Sequence, residues 1–168
     1  MTTIQKDEYV FSVEVEKTQE YYKTHSICDC AYCRNYYSQI KNKFPKLNAF
    51  LSEFGVDISK PDEIMSVEMD NYIDYINVDY TVCGKVKVMG KSEIDIYDDL
   101  FLSVVITDGF SSPNEQNGEY FTISVMQITL PWVLDEPFPK PMLEKNSLPR
   151  VEKSSLNIMD FLKKLLEK

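Results

Sequence analysis

Tyr72-Ile-Asp-Tyr75-Ile-Asn-Val-Asp-Tyr80-Thr-Val82-Cys83-Gly84-Lys-Val-Lys-Val88 is the stretch whose reading decides the fold. From Tyr72 onward the side chains repeat with a period of two, which is the signature of a strand with two different faces. Ile76, Val78, Tyr80 and Val82 fall on one face, and Tyr75, Asn77, Asp79 and Thr81 fall on the other. Gly84 is placed to mark a bulge or a turn, after which Lys85 and Lys87 alternate with Val86 and Val88. Two more strands are predicted downstream, at Leu100–Thr107 and Tyr120–Leu130. The segment between them, Asp108 to Gly118, is dense in turn formers, so the pair reads as an antiparallel meander with one long hairpin loop. Upstream, Tyr9, Phe11, Val13 and Val15 alternate with Val10, Ser12, Glu14 and Glu16, giving a further strand.

Between these strands the period changes to that of a helix. Asp29 is a candidate N-cap, followed by Cys33, Tyr36, Tyr37, Ile40 and Phe44 along one side. Pro45 cannot continue that helix undisturbed but can open a second one at its first position. Leu47, Phe50, Leu51 and Phe54 give the second helix its apolar stripe, and Gly55 is placed to end it with a left-handed residue. Ser59 to Glu63 reads as a capped turn or a short helix. Four of the eight prolines lie between Asp135 and Pro149, which predicts an extended connector. Ser154 or Ser155 then caps a last helix with an apolar face of Leu156, Met159, Leu162, Leu165 and Leu166. The predicted fold class is α+β, a single domain over 1–168. Helices near 30–54 and 155–167 cover one face of an antiparallel sheet.

The chain of 168 residues is 43% hydrophobic, enough to bury a core. Its net charge of −9 argues against nucleic acid and against an anionic membrane surface; it permits a basic protein partner, and the plainer reading is that the acidity keeps the chain soluble. The N-terminus shows no secretory h-region and no run reaches membrane-spanning length, so the expected location is the cytoplasm, where thiols stay reduced.

The chemistry-bearing residues crowd into one place. His25, the only histidine, and three of the four cysteines, Cys28, Cys30 and Cys33, occupy one nine-residue stretch. Thiolates and imidazole are the usual zinc donors, so zinc is the ion this set would take. The spacing H-x2-C-x-C-x2-C is compressed compared with two-knuckle sites. In an extended chain Cys28 and Cys30 would point opposite ways, whereas Cys30 and Cys33 at a helix start can converge. A site using two of these cysteines with His25 and the distant Cys83 is sterically easier. Cys30-Ala-Tyr-Cys33 also resembles the C-P-Y-C of glutaredoxins, but the surrounding βαβ unit is missing, and the nearest candidate for the family's proline strand is the distant Leu130-Pro131. His25 could serve as the base of a Cys–His pair, yet no third residue is evident to orient it. Asp95, Asp98 and Asp99, and Asp70, Asp74 and Asp79, read as solvated acidic faces. Eleven tyrosines supply amphipathic surface suited to interfaces. No nucleotide loop, dinucleotide fingerprint, H-E-x-x-H or EF-hand pattern is present, and no catalytic residue is assigned.

Cys28-x-Cys30-x-x-Cys33-x-Asn35-Tyr36, followed by Phe54-Gly55-Val56-Asp57 and Lys60-Pro61-x-Glu63, resembles a family of small uncharacterised bacterial proteins sharing a C-x-C-x-x-C-x-N-Y motif. The resemblance implies a bacterial cytosolic α+β domain and carries no activity. Two functions stand from the sequence. The first is a small acidic non-enzymatic protein that binds a macromolecular partner, in an immunity- or antitoxin-like role toward a basic protein. The second is a zinc-binding or thiol-active protein centred on His25, Cys28, Cys30 and Cys33. The oligomeric state stays open.

Overall fold

The computed structural model describes residues 1–97, 100–109 and 118–139. Along the chain it forms β1 (Thr2–Lys6), β2 (Tyr9–Val13), α1 (Val15–Thr24), α2 (Ala31–Lys43), α3 (Pro45–Glu53), β3 (Glu63–Glu68), β4 (Tyr72–Val88), β5 (Ile94–Asp95), β6 (Ser103–Asp108) and β7 (Tyr120–Pro131). All strand pairings are antiparallel, in one seven-stranded sheet of order β1-β2-β4-β7-β6-β5, with β3 on β4. The fold is therefore α+β, as the change of period predicts. Strands β5, β6 and β7 follow one another as neighbours, but β7 then pairs with β4 rather than extending outward. The predicted C-terminal helix, most of the proline connector, the tip of the β6–β7 loop and Asp98–Asp99 lie outside the described residues.

Strand β4 organises the molecule. One edge pairs with β7 from Tyr72 to Cys83. The other edge is shared: β3 takes Ile73 to Asp79 and β2 takes Gly84 to Val88. Its sequence period does not run through unbroken. Ile76 has no partner in β3 or β7, and neither does Gln127 opposite it, which sits at a φ of 64°. This paired irregularity shifts the phase of both strands. Ile73 and Tyr75 are buried before it and Val78, Tyr80 and Val82 after it; across the pair, Phe121, Ile123 and Val125 are buried, then Ile128 and Leu130. The predicted faces are corrected accordingly: Tyr75 belongs to the core and Ile76 is 37% exposed.

Gly84 is part of β4 and not its end. At φ 145° it lies opposite Val13, where a Cβ would stand 2.2 Å from the Ser12 carbonyl oxygen. Only glycine lets β2 approach that closely.

Helices α2 and α3 follow the sequence reading, with Pro45 opening α3. Gly55 ends α3 at φ 84°. A helix over Val15–Thr24 was not legible, because Val15 continues the alternation of β2 and only Thr18 and Tyr22 of α1 are buried. Ser59 to Glu63 is not a helix. Asp57 accepts hydrogen bonds from the Ser59 amide (3.1 Å) and hydroxyl (2.7 Å), and the chain then enters β3 at Glu63. Strands β1 and β3 were also missed: β3 buries no residue fully and carries no apolar alternation to detect.

The core gathers Tyr22, Tyr36, Ile40, Leu47 and Leu51 of the helices with the inward residues of β2, β4 and β7. Phe11 stacks on Phe121 at 5.1 Å between ring centroids and meets Phe54 edge-on at 5.2 Å. Burying each such ring contributes roughly 1.5–3 kcal/mol. The Tyr36 and Tyr80 hydroxyls lie 2.5 Å apart inside the core, and Tyr80 donates to the Ile58 carbonyl (2.8 Å). Among the described residues, no helix is long and apolar enough to cross a membrane.

Candidate metal centre

The chain between α1 and α2 has neither helix nor strand from His25 to Asp29. Cys30 is the N-cap of α2, with extended backbone at φ −63° and ψ 157°, and Cys33 follows in the first turn. The predicted N-cap, Asp29, sits one residue too early; its carbonyl receives a hydrogen bond from Arg34 instead. The Cys30 amide turns back to donate to Cys28 Sγ at 3.5 Å. That fold-back overcomes the opposed directions an extended Cys-x-Cys would impose, and α2 brings Cys33 round to the same side. The Sγ atoms of Cys28, Cys30 and Cys33 consequently all lie within 4.8 Å of one another. A tetrahedral zinc site at Zn–S of about 2.3 Å needs sulfurs about 3.8 Å apart. Closing this group on an ion takes a shift of about 1 Å at most.

The three thiols differ in environment. Cys28 and Cys30 are exposed and Cys33 is buried. Hydrogen bonding from the Cys30 amide, then from the Cys30 and Cys33 side chains, holds the Cys28 thiol below its ordinary pKa. Burial, with the Cys30 and Cys28 side chains adding to it, pushes Cys33 up to about 12. Tyr37, one turn further along α2, is itself raised in pKa, chiefly by burial, with the nearby Cys33 thiol adding to it.

His25 and Cys83 are not part of this group. The His25 ring faces the other way, with Nε2 3.4 Å from the Pro61 carbonyl and Nδ1 3.8 Å from Asp62 Oδ1. Cys83 is buried in β4, where its amide donates to Thr18 Oγ1 (3.1 Å), and burial raises its thiol pKa. Of the five residues singled out in sequence, the fold therefore converges three.

The polar cluster that receives His25 has its own task. Between the end of β3 pairing at Asp79 and the start of β2 pairing at Gly84, the edge of β4 has no strand beside it. Side chains and one loop amide replace the missing strand. Asp62 Oδ2 accepts from the Thr81 amide (2.7 Å), and Tyr22 donates its hydroxyl to the Thr81 carbonyl (2.9 Å). Thr18 accepts from the Cys83 amide, and the Glu14 amide donates to the Cys83 carbonyl (2.8 Å). Every backbone group along that gap is thus satisfied, as burial requires. Tyr21 also donates to Asp62, and Tyr21 and Tyr22 are both raised in pKa by burial and then by that carboxylate. No sequence signal marks Asp62, since its partner is a backbone amide 19 residues away.

Among the described residues the acidic side chains do not converge. Asp79, read in sequence as solvated, is 6% exposed and accepts from Asn77 (2.8 Å) and Ser124 (2.6 Å). Asp70 is exposed, and Asp95 accepts from the Tyr97 amide (3.1 Å). Asn35 is fully buried and ties α2 to the end of β7. Its amide donates to Tyr75 Oη (3.1 Å) and the Pro131 carbonyl (3.2 Å), and its oxygen accepts from the Val133 amide (3.0 Å). This anchor fixes the helix that carries Cys30 and Cys33.

Comparison with known protein families, with curated proteins and with solved structures found no match to this chain.

Proposed function

We propose that this chain binds a thiophilic metal ion, zinc in the first instance, through Cys28, Cys30 and Cys33. The observation that carries the reading is the mutual approach of three thiol sulfurs at the start of a helix anchored by Asn35. Three thiolates leave one tetrahedral position open, and two of the three sulfurs face solvent, so the fourth ligand comes from water or from another molecule. His25 and Cys83 serve the fold and not the ion. Elemental analysis of protein purified without chelator tests this. Close to one equivalent of metal is expected in the wild type and in Cys83→Ser, and less than about a tenth in the Cys28→Ser/Cys30→Ser double variant. Equal metal content in the wild type and the double variant would overturn the reading.

A second reading, association with a basic protein, is favoured by the exposed apolar residues Met65, Val67, Met69, Tyr72 and Ile76 on and beside the open strand β3. The partner this surface fits has an apolar centre and a lysine- or arginine-rich rim, matched to the −9 net charge. A Met65→Glu/Val67→Glu variant that binds such a partner as tightly as wild type does would dispose of it.

A further inference from the structure

The open cleft bordered by α1, α2, α3 and the segment after α3 differs in charge from the rest of the chain. Its volume is ≈ 420 Å³, and its walls include Lys23, Lys41, Lys60, Gln19, Asn48 and Asp57. Acidic residues outnumber basic ones 27 to 18 in the whole sequence, yet three lysines face one carboxylate here. The lysines come from three separate segments: Lys23 from the last turn of α1, Lys41 from α2, and Lys60 from the approach to β3. Lys60 is partly buried, and one of its ammonium hydrogens is held by the Tyr22 carbonyl at 2.6 Å. That bond fixes its position without neutralising its charge. Lys41 pairs with Asp57 at 3.0 Å, and among the described residues Lys23 pairs with the exposed Glu20 at 2.9 Å, a kind of surface pair that contributes little and opens readily. Neither the Gln19 nor the Asn48 side-chain amide has a hydrogen-bond partner among the described residues, so both remain available as donors.

We infer that this cleft binds a small organic anion through a phosphoryl group. The lining residues carry two more positive than negative charges, and a phosphoryl dianion neutralises that excess once it displaces Glu20 from Lys23. A concave wall focuses that field more strongly than a flat lysine patch would. Ammonium groups from three segments can reach three different oxygens of a tetrahedral anion, and the Gln19 and Asn48 amides, which have no partner among the described residues, can reach the rest of the molecule. The site shares no residue with the cysteine group, so it stands or falls separately from the metal reading.

Calorimetric titration with inorganic pyrophosphate, at an ionic strength held constant with chloride, tests the proposal. Saturable binding at one equivalent is expected. Lys41→Gln and Lys60→Gln should each weaken it about tenfold, the scale of one charge-assisted hydrogen bond. Lys87→Gln, on the exposed end of β4, should leave it unchanged. The Cys28→Ser/Cys30→Ser variant should bind as wild type does. No saturable binding, or equal weakening by Lys87→Gln and Lys41→Gln, would overturn the inference. If Lys60→Gln fails to fold, Lys41→Gln alone decides.

Discussion

The polar cluster around Asp62 and the thiol cluster around Cys30 border the same short connection from α1 to α2, and they are completed to different degrees. Around Asp62, a carboxylate with 3% exposure takes hydrogen bonds from a backbone amide and a tyrosine, and the strand edge beside it has no unmet group. Around Cys30, the N-cap side chain makes no capping hydrogen bond and two sulfurs face solvent. Polar residues drawn into the first cluster replace a missing strand. Those in the second are held close together without being used up by the fold. The contrast divides the His25–Cys33 stretch, because His25 belongs to the first cluster and the cysteines form the second.

The largest effect that can break this contrast is expected at Asp62. Asp62→Ala strands the Thr81 amide and removes the acceptor of Tyr21, and should cost about 3 kcal/mol in urea unfolding. A loss below about 1 kcal/mol would mean that water can replace the carboxylate and that the cluster is no more structural than the thiols. Next in size is the alkaline limb of stability. Burial raises the Tyr75 hydroxyl from its ordinary 10.0 to about 12. The unfolded chain therefore releases this proton first, and the contribution is complete below pH 10.0 and lost as the pH rises through about 12. Tyr75→Phe should give a shallower fall in stability across that window, read from denaturant midpoints at stepped pH. An unchanged slope would show that Tyr75 does not report on the alkaline transition. The smallest effect is expected at the exposed thiols. Metal-free Cys28→Ser/Cys30→Ser protein should lie within about 0.5 kcal/mol of wild type, as exposed substitutions generally do. Limited alkylation followed by mass spectrometry should modify Cys28 before Cys33 and Cys83. A destabilisation above 1 kcal/mol, or early labelling of Cys33, would place the thiols with the structural residues.

What could be read in the sequence follows from which interactions are local. Strand β7, helices α2 and α3, the opening of α3 by Pro45 and its exit at Gly55 all rest on short-range periodicity or backbone geometry, and the structure has them. Helix α1 rests instead on two buried residues four apart, which an alternating pattern running into Val15 conceals. The core face of β4 could be read only from Val78 onward, and the reading fails at Tyr75 and Ile76, since nothing near Ile76 signals that a residue is left unpaired there. The convergence of Cys30 and Cys33 follows from helical spacing, but the inclusion of Cys28 depends on a backbone fold-back. The departure of His25 depends on Asp62 and Pro61, whose proximity is set by the tertiary fold.

Ile76 and Gln127 act on the sheet as a pair of compensating frameshifts. Removing one residue alone would put the two strands out of step, so that inward side chains on one would face outward side chains on the other. Removing both would restore one uninterrupted reading frame, but the residues on one side of the deletion would then present the wrong face to the core. Since Tyr75, just before the irregularity, holds Asn35 and through it the helix of Cys30 and Cys33, the interruption is what keeps the thiols and the sheet in the same frame.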